Sequence, residues 1–183
     1  MNGEDAMVTV LFVDIRDFTR FADHATARAA VALLNEFFGV VVPVIEAHGG
    51  LAQQFLGDGL LAVFGAPQPL PDHADRGVAA AGEIIAAVEA RFGGRCRASV
   101  GVNSGLVMVG TIGGGSRYEL GVIGDPVNVA ARVEQATRRT GDDVLVTEAT
   151  RCLMERDGLE PRGALELKGK AAPVAVYALG AGR

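Results

Sequence analysis

Two carboxylates stand where a chain leaves groups free to meet a ligand. Asp14 ends Met7–Asp14 (MVTVLFVD), a run that is apolar and β-branched almost throughout and reads as a buried central strand. Asp58 lies in Phe55-Leu-Gly-Asp-Gly59, between apolar flanks. Asp-Gly between β-prone runs signals a hairpin, because Gly and Asp accept the positive φ of a tight turn. The spacing predicts antiparallel strands over about Leu51–Leu56 and Leu60–Phe64, with Asp58 at the tip. Each residue also has an ordinary account. A strand-terminal Asp can cap the next helix, and an Asp-Gly turn needs no ligand. If the hairpin lies beside the first strand, however, the two carboxylates converge. With nearby backbone carbonyls they make an oxygen-rich site for Mg²⁺ or Mn²⁺. Such a pair can hold two metals, one activating an attacking oxygen and one stabilising a leaving phosphate. The Ile15–Thr19 turn, with Phe18 and Thr19 entering a helix, offers backbone N–H groups to phosphates.

A second set lies far along the chain. Asn128 and Arg132 are four residues apart and share one helical face. Arg can fork onto a phosphate as charge develops, and Asn can position a ribose oxygen. Lys168 and Lys170 flank a glycine and are the only lysines present. They can reach terminal phosphates or simply be solvated. Taken alone, Asn128 and Arg132 also fit a capping Asn and a surface Arg.

The elements that must position these residues follow from pattern. Leu33, Leu34, Phe37, Phe38, Val41, Val44 and Ile45 recur at helical steps, giving an amphipathic helix from about Thr26 to His48, stopped by Gly49-Gly50. After the hairpin, Pro67, Pro69 and Pro71 mark a loop, with Asp72 as N-cap of a helix from about Ala74 to Phe92. Arg97–Asn103 and Leu106–Thr111 read as strands bent around Ser104-Gly105, and Gly113-Gly114-Gly115 opens a loop or arm. Tyr118–Ile123 is a strand, and Pro126 starts a third helix, Val127 to about Thr140. Val144–Val146 is a short strand and Glu148–Glu155 a short helix; strands near Leu159–Leu167 and Val174–Leu179 close the chain. The expected class is α+β, an α/β sandwich. Its core is a ferredoxin-like βαββαβ unit extended by C-terminal strands and helices, with a mostly antiparallel sheet. No linker or repeat divides residues 1–183, so one domain is expected, cut or not from a longer protein.

Composition narrows the function classes. The 183 residues are 49% apolar with a net charge of −5, which fits a folded domain and gives no basic nucleic-acid footprint. RNA-binding modules share the βαββαβ order, but they carry sheet-face aromatics and positive charge, which this chain lacks. No apolar run reaches the ~18 residues of a membrane span, and the N-terminus has no signal-peptide pattern. Cys96 and Cys152 are far apart, so reduced thiols and a cytoplasmic setting are expected.

Several ordered motifs together carry a resemblance. They are Leu11–Thr19 (LFVDIRDFT), His48-Gly-Gly followed by Phe55–Gly59 (FLGDG), Gly101–Gly105 (GVNSG), Ile123–Arg132 (IGDPVNVAAR) and Leu167–Lys170 (LKGK). From about Val8 to Leu179 the chain resembles the catalytic domain of class III adenylate and guanylate cyclases. The Gly-Gly-Asp/Glu-Glu-Phe signature of diguanylate cyclases is absent. The resemblance implies conversion of a nucleoside triphosphate to its 3′,5′-cyclic monophosphate and pyrophosphate, in a head-to-tail homodimer with sites at the interface. It implies that Asp14 and Asp58 bind two divalent ions, Mg²⁺ or Mn²⁺, with Ile15 adding a backbone carbonyl. It implies further that Asn128 and Arg132 of the other subunit orient ribose and stabilise the transition state, and that Lys168 or Lys170, with Arg117, holds the polyphosphate.

Two base-reading positions depart from the family pattern. Adenylate cyclases carry Lys four residues before the hairpin Asp and guanylate cyclases Glu; here it is Gln54. The position seven residues before the ribose-orienting Asn, usually Asp, Thr or Cys, is Gly121. Gln presents to either purine edge and Gly to neither, so discrimination should be weak. ATP is the expected substrate, with GTP secondary. The alternative is a catalytically silent homologue that binds nucleotide or dimerises in a regulatory role.

Overall fold

The computed structural model describes residues 3–114 and 116–180. In chain order the elements are β1 (Glu4–Ile15), α1 (Phe18–Ala22), α2 (Ala27–Ala47), β2 (Leu51–Leu56), β3 (Gly59–Phe64), α3 (His73–Phe92), β4 (Ala98–Gly114), β5 (Arg117–Ile123), α4 (Asp125–Thr140), β6 (Val144–Thr147), α5 (Glu148–Arg151), β7 (Leu159–Leu165) and β8 (Val174–Leu179). The sheet runs β2-β3-β1-β4-β6-β8-β7, with β5 paired to β4. Only β4 and β6 are parallel among these pairs. The first four strands give the expected βαββαβ core, and the α+β class holds.

Alternation along β1 divides the molecule into two layers. Leu11, Val13 and Ile15 face α2 and α3, packing with Phe37, Val41, Ile45, Ile84 and Val88. Val8 and Val10 face the other way, toward Ala130 of α4. A third cluster seats α4 on the C-terminal strands through Val129, Val133, Leu145 and Leu167. Asp14 shares the parity of Val8 and Val10, so it belongs to the α4 side.

Several expectations need correction. The strands read as bending at Ser104-Gly105 form one 17-residue strand, β4. Gly105 serves close packing rather than a turn: a Cβ there would lie 2.5 Å from Pro126 Cγ. The helix expected over Glu148–Glu155 is only Glu148–Arg151. Finally, α2 is by length and composition long and apolar enough to cross a membrane, contrary to the expectation. Here it lies along the sheet, with Phe37, Val41, Val44 and Ile45 buried. Polar residues cap its ends, and Thr26 accepts from the Ala29 amide at 3.2 Å. Asp72 takes the expected N-cap position of α3, and its carbonyl accepts from the Arg76 amide at 3.0 Å, but its side chain makes no capping bond and its carboxylate accepts from Arg76 Nε at 2.8 Å instead.

Candidate active site

The carboxylate pair forms through strand register. Asp14 pairs with Gly59 on β3 and with Ser99 on β4. Asp58 is therefore one residue from the position directly across from Asp14. The hairpin loop is Gly57-Asp58, and Gly57 takes the positive φ of 68°, so Asp58 itself keeps a relaxed backbone.

α4 closes the site from above. A Cβ on Gly101 would lie 2.3 Å from both the Ala130 carbonyl and the Glu134 amide, so helix backbone rests directly on the strand. That approach lowers Glu134 into the sheet. Glu134 is 1% exposed, accepts from Ser99 Oγ at 2.6 Å and pairs with Arg138 at 3.5 Å. Arg138 also stands 4.0 Å from Asp14 Oδ1. Burial, then the Glu134 and Asp58 charges, push the Asp14 carboxyl up to about 7. Glu134 is raised as well, chiefly by burial.

Asp14 Oδ1 is buried with no hydrogen-bond partner. Arg138 stands too far from this oxygen to donate to it, and its single positive charge faces three carboxylates, so a further cation would lower the cost of the arrangement. Among the described residues no three or more His, Cys, Asp or Glu side chains converge as a metal cluster. The two carboxylates offer oxygen donors, the kind that Mg²⁺ prefers. The residues present fit a hard divalent ion. Ile15 is buried at the end of β1, beside Asp14. Phe18 packs against the main core and Thr19 is exposed on α1, a helix of five residues.

The second set gathers around the first half of α4. Leu167, buried beneath Val129 and Val133, anchors the Lys168-Gly169-Lys170 turn, which closes with a 3.0 Å bond from the Lys170 amide to the Leu167 carbonyl. A Cβ at Gly169 would meet the Arg132 guanidinium at 3.5 Å. Lys170 Nζ holds Asp125 at 2.6 Å, whereas Lys168 is exposed with no ion pair among the described residues. Asn128 is exposed on the same helix. Within one chain, no hydrogen bond or ion pair among the described residues joins Asn128, Arg132, Lys168 or Lys170 to Asp14 or Asp58. Arg138, which does reach Asp14, lies six residues beyond Arg132, roughly 9 Å along the helix.

Gln54 is exposed on β2 and Gly121 buried in β5. Gln53 ties the two strands together, donating from Nε2 to the Leu120 carbonyl at 2.7 Å. A Cβ on Gly121 would lie 2.0 Å from Ile112 Cδ1, so Ile112 occupies the space a side chain there would take. The Arg117 side chain lies outside the described residues, as does Gly115.

Ser99, Glu134 and Arg138 were not legible as site residues. Their convergence depends on β1–β4 register and the Gly101 crossing, which no local pattern signals.

The family model for the adenylate and guanylate cyclase catalytic domain matches residues 2–181. The uncharacterized protein Rv1318c of Mycobacterium tuberculosis is 37% identical over 158 residues, covering 86% of this chain and 29% of that protein. The chain thus spans under a third of that relative. Among solved structures, the adenylyl cyclase CyaB from P. aeruginosa superposes with a TM-score of 0.90 at 25% identity, covering 100% of this chain and 98% of that one. The guanylyl cyclase Cya2 gives 0.89 at 32% identity, covering 98% and 94%. The chain belongs to the adenylate and guanylate cyclase catalytic-domain family.

Proposed function

We propose that this domain converts ATP to 3′,5′-cyclic AMP and pyrophosphate, with GTP as a poorer substrate, at sites shared between two copies of the chain. The observation that carries the reading is the Asp14–Asp58 pair with its orphaned buried oxygen. Asp14 and Asp58, with the Ile15 carbonyl, would hold two divalent ions. Those ions supply charge neutralisation and a lowered 3′-hydroxyl pKa. The 3′ hydroxyl gives its proton to solvent water, the oxygen attacks the α-phosphorus, and the bond from the α-phosphorus to the bridging oxygen breaks as pyrophosphate leaves with its electron pair. Asn128 orients the ribose and Arg132 meets charge developing on the α-phosphate. Lys168, free of the ion pair that engages Lys170, takes the polyphosphate. The Phe18 and Thr19 amides lie at the strand end where phosphates would arrive.

A second copy is part of this reading, and it is supported by the lack of any hydrogen bond or ion pair among the described residues that joins Asn128 or Arg132 to the carboxylates within one chain. It would also find apolar surface to cover. The cross-strand pairs Met7–Leu106 and Met108–Ile123 are each about half exposed. The base is read weakly, since Ile112 rather than a polar group fills the space over Gly121.

The test is cyclic-nucleotide production by the purified domain with Mn²⁺ and ATP or GTP. The expected kcat/KM for GTP lies within about 100-fold of that for ATP, not the 10⁴-fold that polar readout supports. Asp58→Ala should lower turnover more than about 100-fold, as expected when a ligand and not merely its support is lost. Silence of folded, dimeric protein with both nucleotides would instead favour a regulatory homologue.

A further inference from the structure

A chain of buried hydrogen bonds crosses the domain and ends on the first turn of α4. His73 Nδ1 lies 2.7 Å from Thr9 Oγ1, and Thr9 Oγ1 lies 2.7 Å from Ser104 Oγ. Ser104 donates to Thr150 Oγ1 at 2.9 Å, and Thr150 Oγ1 lies 3.4 Å from Thr147 Oγ1. Thr147 donates to Asn103 Oδ1 at 2.7 Å, and Asn103 Nδ2 donates to the Pro126 carbonyl at 3.0 Å. All six side chains are at most 8% exposed.

Each hydroxyl has one proton, so the chain has one consistent direction. Ser104 spends its proton on Thr150, so Thr9 donates to Ser104 and His73 donates from Nδ1 to Thr9. Thr147 spends its proton on Asn103. That fixes the Asn103 amide: its oxygen faces Thr147, and its NH₂ must face Pro126. The same turn is fixed sterically, because Pro126 sits over Gly105 of β4 with no room for a Cβ. Two contacts from one strand therefore set the height and rotation of the turn that carries Asn128, with Arg132 one turn on.

We propose that Asn103 is a positioning residue for turnover: it touches no substrate, and it fixes the α4 turn from which Asn128 and Arg132 act. This rests on the roles proposed above for those two residues. Displacing a positioned group by about 1 Å can cost about 10²-fold in rate. The effect should fall on the α4 half of the site and spare the Asp14–Asp58 half.

The experiment compares Asn103→Leu and Asn103→Asp with the unmodified domain. The second variant keeps the shape and the Thr147 bond; its kcat is read against the unmodified domain at high pH, where the ionised carboxylate turns an acceptor toward the Pro126 carbonyl, and at low pH, where the protonated acid restores the donor, so it reports even if the first folds poorly. The expected result is a kcat lowered by about 10- to 100-fold, with Mn²⁺ affinity, measured with the metal alone, changed less than about twofold. Mixed with Asp58→Ala, an Asn103 variant should regain activity, because each supplies the half the other lacks. Mixed with Arg132→Ala it should not. A kcat within about threefold of the unmodified domain for both variants overturns the inference, as does equal weakening of Mn²⁺ binding. Recovery with Arg132→Ala but not with Asp58→Ala overturns it too. If Asp58→Ala and Arg132→Ala fail to complement each other, the shared-site reading fails, and kcat with Mn²⁺ affinity still decides the role of Asn103.

Discussion

Asp14 is placed against its own electrostatic interest. Its carboxyl is only 17% exposed and faces two like charges, Asp58 and the buried Glu134. Its raised value means that the folded state binds a proton the unfolded chain releases. The stability it contributes is complete below the ordinary 3.8 and lost as pH rises toward about 7. In chelator at pH 7.5, Asp14→Asn should therefore raise stability by about 1–2 kcal/mol in urea unfolding while abolishing turnover. Unchanged or lowered stability would show that the carboxylates do not strain the metal-free fold. His73 runs the opposite way. Burial lowers its pKa, against the raising effect of Asp72, so its contribution is present above 6.5 and lost as pH falls. The unfolding midpoint of His73→Asn should fall less between pH 7.5 and 5.5 than that of the unmodified domain. Identical pH dependence in both would remove His73 from the account. At this scale the sequence was informative where chemistry is local. A strand end and a Gly-Asp hairpin announced Asp14 and Asp58. Glu134 and Ser99 were silent, because only the folded register joins them.

Glycines were the elements' least legible feature. Ser104-Gly105 has the composition of a turn, yet β4 passes straight through it. The physical reason is Pro126, which needs the space a side chain would fill. Gly101 does the same for the middle of α4, and both close approaches join residues far apart in sequence. Helix periodicity, in contrast, is a local property, and α2, α3 and α4 lie within two residues of their expected bounds. Gly101→Ala should cost about 2–4 kcal/mol, since its Cβ would meet helix backbone that cannot rotate away. Urea unfolding checks this, and a change under about 0.5 kcal/mol would mean that α4 does not rest on β4 as described.

Across the whole molecule, the residues that could do the chemistry fall into two groups. The carboxylates sit where β1 meets the hairpin, and the Asn128–Arg132 face sits beside the lysine turn. No hydrogen bond or ion pair among the described residues joins the two groups within one chain, and the proposed function divides them between two copies. The sequence carried the fold class and both groups, because each is built from short motifs. Their division between subunits is an expectation from family resemblance alone, since no pattern within a chain records which copy a residue faces.

The most direct test of that claim mixes Asp58→Ala with Arg132→Ala, each inactive alone, after exchange of subunits is confirmed. Random pairing under twofold symmetry makes about half the dimers mixed, each with one intact site of two, so about a quarter of unmodified activity should return. No recovery from freely exchanging dimers would mean that each subunit carries a complete site, and the account would be wrong at its centre.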